Sequence, residues 1–177
     1  MRFRDLLPSD LAAVARVNVD TFRATQGDIV PDALLDTLSY SAAEQYFVRL
    51  LAKVERQSFI VVAKTGNDVI GYAMAGKARD AELGDAGTRY AGELYGLYVL
   101  PRFHRAGVGR RLVTEAAQRL QAVGITSMYV VVFAANDRAR QFYEAMGGQW
   151  AGERSAQLAG EEVTEVMYGW LDLRTLH

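Results

Sequence analysis

The sequence contains no cysteine in 177 residues. That excludes a disulfide framework, a thiolate metal site and a cysteine acyl-enzyme. Histidine is nearly as scarce: only His104 and His177 are present. A polyhistidine metal site and a Ser-His-Asp triad are therefore not expected, and no spacing of carboxylates proposes a metal of another kind. Neither sign of charge dominates, with 20 Lys and Arg against 21 Asp and Glu. Without a basic arm or patch, nucleic acid is not an expected partner. No apolar run approaches a membrane-spanning length, and Met1-Arg2-Phe3-Arg4-Asp5 is charged where a signal peptide needs an apolar core. The expectation is a cytoplasmic protein with no membrane partner. Internal repeats, low-complexity tracts and linkers are also missing, so residues 1–177 are read as one domain.

Half of the residues are hydrophobic, enough for a sizeable core. Arg2 to Leu7 is an expected strand. Pro8-Ser9-Asp10 then opens a helix, with Ser9 as N-cap and Leu11, Val14, Ala15 and Phe22 on one face. Helical pieces follow at Asp32–Leu38 and Ala42–Val54, separated by Ser39-Tyr40-Ser41. The run Phe59 to Ala63 reads as a strand buried on both faces. A turn at Thr65-Gly66-Asn67-Asp68 returns the chain into Val69–Ala78. After the polar stretch Arg79 to Gly87 comes a long strand, Thr88 to Leu100. A helix from Gly107 to Val123 carries Val108, Leu112, Ala116 and Leu120 on one stripe and ends at Gly124. Ser127–Phe133 is a strand, Asn136–Met146 a helix, and Gln149–Leu158 with Glu162–Trp170 a closing hairpin. The strand–helix–strand crossover from Thr88 to Phe133 makes those two strands parallel inside an otherwise antiparallel sheet.

The most informative stretch runs from Glu93 to Leu112. An apolar strand ends at Pro101, a loop carries Gly107 and Gly109, and a helix begins. Glycines let a backbone approach a ligand closely, and a helix start adds unpaired N–H groups and the positive end of its dipole. Together they are suited to a diphosphate held without metal.

These residues resemble the GNAT (Gcn5-related N-acetyltransferase) superfamily over nearly the whole chain. The family's loop, Q/R-x-x-G-x-G/A, is matched by His104-Arg105-Ala106-Gly107-Val108-Gly109, with His104 where Gln or Arg is usual. A second segment, Asn136-Asp137-Arg138-Ala139-Arg140-Gln141-Phe142-Tyr143-Glu144-Ala145-Met146-Gly147, is similar to the family's N-x-x-A-x-x-x-Y-E-x-x-G. The resemblance implies an α/β fold with a mixed, mostly antiparallel central sheet, helices on its flanks, and a splayed parallel strand pair.

It also implies acetyl-CoA as cosubstrate, no metal, and an amine as acceptor. The diphosphate would lie on His104, Arg105, Ala106, Gly107, Val108, Gly109 and Arg110, with Asn136 and Arg138 nearby. The pantetheine arm would pair with the central strand at Leu97, Tyr98 and Val99, where a main-chain N–H would meet the oxyanion. Tyr143 would be the general acid toward sulfur, since a phenol near ~10 keeps its proton while a thiol near ~8.5 leaves as an anion. Packing in the core is its other reading. Glu93 would be the base, directly or through water, although a solvated or ion-paired strand residue fits it equally, and a simple attractor of the cationic acceptor is a third reading. The acceptor side is expected among Phe22, Thr25, Gln26, Asp28 and Tyr40, and the acidic stretch Asp80, Glu82 and Asp85 is read as solvated. A small-molecule primary amine is the expected acceptor. A protein N-terminus or lysine, or a non-catalytic acyl-CoA-binding role, is the alternative. A homodimer through the C-terminal strands is also compatible with the family.

Overall fold

The computed structural model describes residues 1–52, 58–79, 82–83 and 88–176. Strand β1 (Arg2–Asp5) leads through a 3₁₀ turn at Pro8–Asp10 into α1 (Leu11–Gln26), followed by α2 (Asp32–Thr37) and α3 (Tyr40–Ala52). Then come β2 (Ser58–Thr65), β3 (Asp68–Lys77), the short β4 (Glu82–Leu83) and β5 (Thr88–Arg89), and β6 (Gly92–Val99). The chain continues as α4 (Val108–Ala122), β7 (Met128–Phe133), α5 (Asp137–Ala145), β8 (Gln149–Leu158) and β9 (Glu161–Trp170). Seven strands form one sheet in the order β1-β2-β3-β6-β7-β9-β8. Every pair in it is antiparallel except β6 with β7.

The expected strand from Thr88 to Leu100 is in fact two. β5 pairs antiparallel with β4 as a separate ribbon, and only β6 joins the main sheet. The acidic stretch falls mostly outside the described residues, which include neither Asp80 nor Asp85. Helix α3 is described to Ala52, so the expected end at Val54 lies outside them as well.

Helices cover both faces of the sheet, and the alternation of β2 shows why. Val61 and Ala63 join α4 and α5 in one cluster; Ile60 and Val62 join α1 and α3 in the other. The α4 stripe behaves as its period demands, with Val108, Leu112, Ala116 and Leu120 all buried. Gly124 ends that helix at φ +83°. Below, the face bearing α4 and α5 is called the loop face and the face bearing α1 and α3 the opposite face. Ser39 caps α3, its Oγ accepting from Ala42 N at 3.1 Å. The expected cap at Ser9 is not formed. Asp10 occupies the N-cap position of α1 instead, its carboxylate accepting from Leu7 N at 3.0 Å. Phe22 also departs from expectation, lining a cavity rather than joining a core cluster.

Two irregularities in β6 shape the centre of the molecule. Against β3, Leu94 pairs with Ala75 and Gly96 with Met74, so Tyr95 is an extra residue in a β-bulge. Against β7, pairing extends only over Gly92–Met128, Glu93–Tyr129 and Leu94–Val130. Beyond those three pairs the strands splay.

Asp10 ties the first strand to the second through a buried network. Its carboxylate is 2% exposed and accepts from Arg4 at 2.6 Å and Lys64 at 3.2 Å. The hydrogen bond from Arg4 is the main cause that lowers its pKa to about 2, against the opposing effect of burial. Because the folded value lies below the unfolded one, the stabilisation is complete above about pH 4 and fades as pH falls through 2. Replacing Asp10 with Asn should cost about 3 kcal/mol at pH 7 by stranding buried charge. Urea denaturation of both proteins should show that gap closing between pH 4 and pH 2; a pH-independent gap would refute the assignment.

Candidate functional site

A cavity of about 880 Å³ opens where β6 and β7 part, lined from both faces of the sheet. Val130 and Val132 belong to the loop face, while Val131 packs with Tyr129 on the opposite one; Val130 through Phe133 all line the cavity. It therefore passes through the gap from one side of the sheet to the other.

The orientation of β6 follows from its ends. Gly92 N donates toward β7, to Ser127 O, and Leu100 N donates toward β3, to Ile70 O. Counting back from Leu100 by alternation turns the main-chain N–H and C=O of Leu97 and Val99 into the gap. The bulge at Tyr95 reconciles this with Gly92 and Leu94, which face the same way. The carbonyl of Val99 is already engaged by His104 Nε2 at 2.6 Å. A carbonyl can only accept, so Nε2 carries the proton and Nδ1 is the acceptor. Burial, assisted by Arg138, lowers the His104 pKa despite that bond, which keeps the ring neutral at pH 7. His104 thus turns partly inward and fixes the loop to the strand it follows.

After β6 the chain makes a 3₁₀ turn at Pro101–Phe103 and reaches α4 through two left-handed residues, Arg105 at φ +60° and Gly107 at φ +77°. Gly107 is the N-cap of α4 without any side-chain cap. The amides that open the helix are therefore left for a ligand, with the positive end of the helix dipole behind them. At Gly109 an added Cβ would rest 3.4 Å from the Phe142 ring, an ordinary contact. Packing within the protein therefore does not by itself require glycine there. Arg105, Arg110 and Arg138 line the cavity at this end. Of the remaining loop residues, Val108 is buried in the core and Ala106 does not line the cavity, so neither side chain faces it. Asn136 lines the cavity while its Oδ1 caps α5, accepting from Ala139 N at 3.0 Å.

Tyr143 reaches the cavity from α5, held edge-on between Phe142 and Trp170 at centroid distances of 5.1 and 6.1 Å. Burial and the nearby Tyr98 raise its pKa well above the ordinary phenol, so it keeps its proton throughout the neutral range. Most other buried tyrosines are paired: Tyr72 with Asn18, Tyr129 with Glu93, Tyr168 with Glu144. The Tyr143 hydroxyl has no hydrogen-bond partner among the described residues. Tyr98 also lines the cavity, its pKa pushed up to about 12 by burial, but its ring is stacked on Tyr72 at 5.0 Å.

Glu93 stands elsewhere. It is 2% exposed, does not line the cavity, and accepts from Arg79 N at 3.1 Å and Tyr129 Oη at 2.8 Å, besides an ion pair with the Arg79 guanidinium. Burial by itself would raise its pKa, but the hydrogen bonds from Arg79 and Tyr129 overcome that and hold it below the ordinary value. A carboxylate so stabilised, away from the gap, is a poor base. The ion-paired reading is the one this geometry matches. Arg79 in turn lies over the Tyr95 ring at 4.8 Å, and Tyr95 donates to Lys77 O at 2.5 Å. Glu93 therefore braces the bulge from behind.

On the opposite face the lining comprises Thr21, Phe22, Thr25 and Gln26 of α1, Tyr95, and Glu165 of β9. Phe22, Thr25 and Gln26, expected on the acceptor side, line the cavity. Asp28 and Tyr40 do not line the cavity, and Tyr40 instead donates to Asp20 at 2.7 Å. Thr21 and Glu165 are missed by sequence reasoning, because nothing in their spacing links α1 to β9. Among the described residues no group of three or more metal-ligating side chains is assembled, and no helix is long and apolar enough to cross a membrane.

Residues 24–148 match the acetyltransferase (GNAT) family. The chain is 32% identical over 173 residues to the uncharacterized N-acetyltransferase YuaI of Bacillus subtilis, covering 98% of this chain and 94% of that protein. Among solved structures, a ribosomal-protein-alanine N-acetyltransferase from Brucella melitensis superposes with a TM-score of 0.72 at 20% identity, covering 96% of this chain and 99% of that one. YncA of Salmonella typhimurium, an acetyltransferase solved with acetyl-CoA, gives 0.70 at 18%, covering 97% and 93%. The match to the family over most of its length, on a sheet that opens at its one parallel pair, makes this chain a member of the acetyltransferase (GNAT) family.

Proposed function

We propose that this protein transfers the acetyl group of acetyl-CoA to a primary amine of a small molecule, by direct attack while both substrates are bound. The observation that carries this reading is the cavity that crosses the sheet. It joins the amides at the start of α4 and the Tyr143 hydroxyl on the loop face to the end of α1 on the opposite face. Amides from Val108 to Arg110 suit the diphosphate, with the arginine side chains beside them. Leu97 N–H, Leu97 C=O and Val99 N–H offer the edge of a strand to the pantetheine amides. That main chain also supplies an N–H donor for the carbonyl oxygen as negative charge develops on it. That YncA, which shares this fold, was solved with acetyl-CoA supports acetyl-CoA as the cosubstrate.

Tyr143 supplies the proton. The amine attacks in its neutral form, its ammonium having first released a proton to solvent water; as its nitrogen bonds to the carbonyl carbon and the carbon–sulfur bond breaks, the phenol protonates the departing thiolate. The proton that the amine sheds returns through water to the phenolate. A neutral phenol is the required starting form, and burial in the aromatic nest keeps it so. Glu93 takes no part in the proton path. A small acceptor is favoured because its lining converges from α1, β6 and β9 within one cavity, rather than along an extended groove.

A thiol-release assay across an amine panel tests the activity; acetyl-CoA binding without turnover on any amine would reject it. Tyr143→Phe should lower kcat about 100-fold, in the range for loss of a general acid, while the acetyl-CoA Kd from calorimetry stays unchanged. Tyr98→Phe should leave kcat within a few-fold, and an equal loss in both variants would undo the choice of Tyr143.

Glu93→Gln separates support from catalysis. The acidic limb of the pH–rate profile should persist, while thermal stability falls by about 1–3 kcal/mol through loss of the charged hydrogen bonds. Disappearance of that limb would restore Glu93 as a base.

A further inference from the structure

We propose that the acceptor is a cationic amine bearing a neutral hydrogen-bond donor, an amide N–H or a hydroxyl, and that Glu165, Thr21 and Gln26 select it. The inference rests on the acetyl-transfer reading and names the substrate class for it. Charge along the cavity is divided by the sheet. Arg105, Arg110 and Arg138 line it from the loop and the start of α5, whereas the opposite face contributes one carboxylate, Glu165, and no cation among the described lining residues. Glu165 pairs in register with Phe133. Phe133 and Leu97 each lie three residues beyond the last β6–β7 pair, Leu94–Val130. The carboxylate is thus level with the stretch of β6 whose main chain faces the gap. It is 19% exposed and accepts from Arg154 Nε at 2.8 Å. A carboxylate has about four acceptor sites, so this pair does not exhaust it. Its remaining acceptor sites can take an incoming ammonium, whereas a carboxylate on the acceptor would find no cation among the described lining residues of this face.

The second observation concerns the end of α1. Thr21 Oγ1 and Gln26 Oε1 are buried side-chain atoms with no hydrogen-bond partner. Thr21 is only 4% exposed, and both residues line the cavity. Their neighbour Thr25 does not serve them, since its hydroxyl donates to Thr21 O at 2.8 Å. Leaving buried polar atoms unpaired is costly, and a cavity beside them is where a partner can enter. The amide oxygen of Gln26 can only accept, so what completes it must be a donor. The Thr21 hydroxyl can take either role. Aromatic and apolar lining from Phe22, Tyr95, Val131 and Phe133 surrounds these groups, which leaves the acceptor's carbon skeleton in apolar contact while its polar atoms find fixed partners.

Leucinamide, isoamylamine and leucine form a matched set for the test, having the same branched skeleton with an amide, nothing, or a carboxylate beside the amine. In the thiol-release assay with the intact protein, leucinamide should exceed each of the others in kcat/KM by about tenfold or more, as expected when a site's polar groups go unpaired or meet like charge. Glu165→Gln should raise the leucinamide KM and shrink the discrimination against leucine. Thr21→Val and Gln26→Leu should shrink the preference over isoamylamine. An unchanged acetyl-CoA Kd in each variant shows that it is folded. Equal use of leucine and leucinamide by the unaltered protein would overturn the inference without any variant. So would folded variants with unaltered acceptor KM, and in both cases acetyl transfer itself would stand. Binding of acetyl-CoA with no turnover of any amine would instead remove both readings.

Discussion

The arrangement depends on a parallel ladder that stops after three pairs. Strands β6 and β7 are joined at Gly92, Glu93 and Leu94 and part beyond them. Each strand is held on its other side by a long antiparallel partner, β3 for β6 and β9 for β7. Neither can therefore swing across to close the gap without breaking a ladder that extends along its full length. The bulge at Tyr95 adds local twist just where separation begins, and a bulge bends the strand that contains it. An opening so determined by both neighbours is a fixed feature of the sheet rather than a frayed edge.

The closed end of that opening is held by a buried carboxylate and its donors. Glu93 bonds across the last pairs to Tyr129 and back to Arg79, whose guanidinium covers Tyr95. One buried carboxylate thus links β6, β7 and the segment after β3 at the point where the bulge starts. Isolated, a charge buried to that degree would shift its pKa upward to become neutral. Multiple donors reverse the direction, and the same donors that stabilise the charge also leave it unsuited to accept a proton. Burial of an ionisable group near a cavity is therefore not sufficient for a catalytic role; what its oxygens already accept decides the matter.

How far the sequence reveals this depends on whether an interaction is local. The loop from His104 to Gly109 and the start of α4 are contiguous, so glycines and helix onset can be read together. The Asn136 cap is four residues of local geometry and was legible for the same reason. Glu93 presents the opposite case. Its partner Arg79 lies 14 residues away across the segment that contains β4 and β5, and no periodicity joins them. Its spacing before His104 suggested a base only through family resemblance. The bulge had a faint sign in Gly96, since a glycine inside a strand often marks one, but strict alternation through Tyr95 obscured it. Ser9 fits the pattern for a cap, yet the buried ion network of Asp10 with Arg4 and Lys64 places Asp10 at the helix start. Thr21 and Glu165 line one cavity only because the sheet brings α1 and β9 to the same opening.

A closed sheet would keep apart what this one brings together. Side chains on opposite faces of a continuous ladder are separated by its backbone, so an acid on the loop face could not serve an amine arriving from the other. Opening the ladder removes that barrier and exposes main-chain donors and acceptors at Leu97 and Val99. A bound chain of amides would restore the lost pairing, so much of its affinity would come from backbone groups that every residue type supplies. Side-chain identity along that edge then matters little for holding the cosubstrate. In the proposed reading, selectivity falls to what backbone cannot provide: the polar and charged side chains at the end of α1 and on β9.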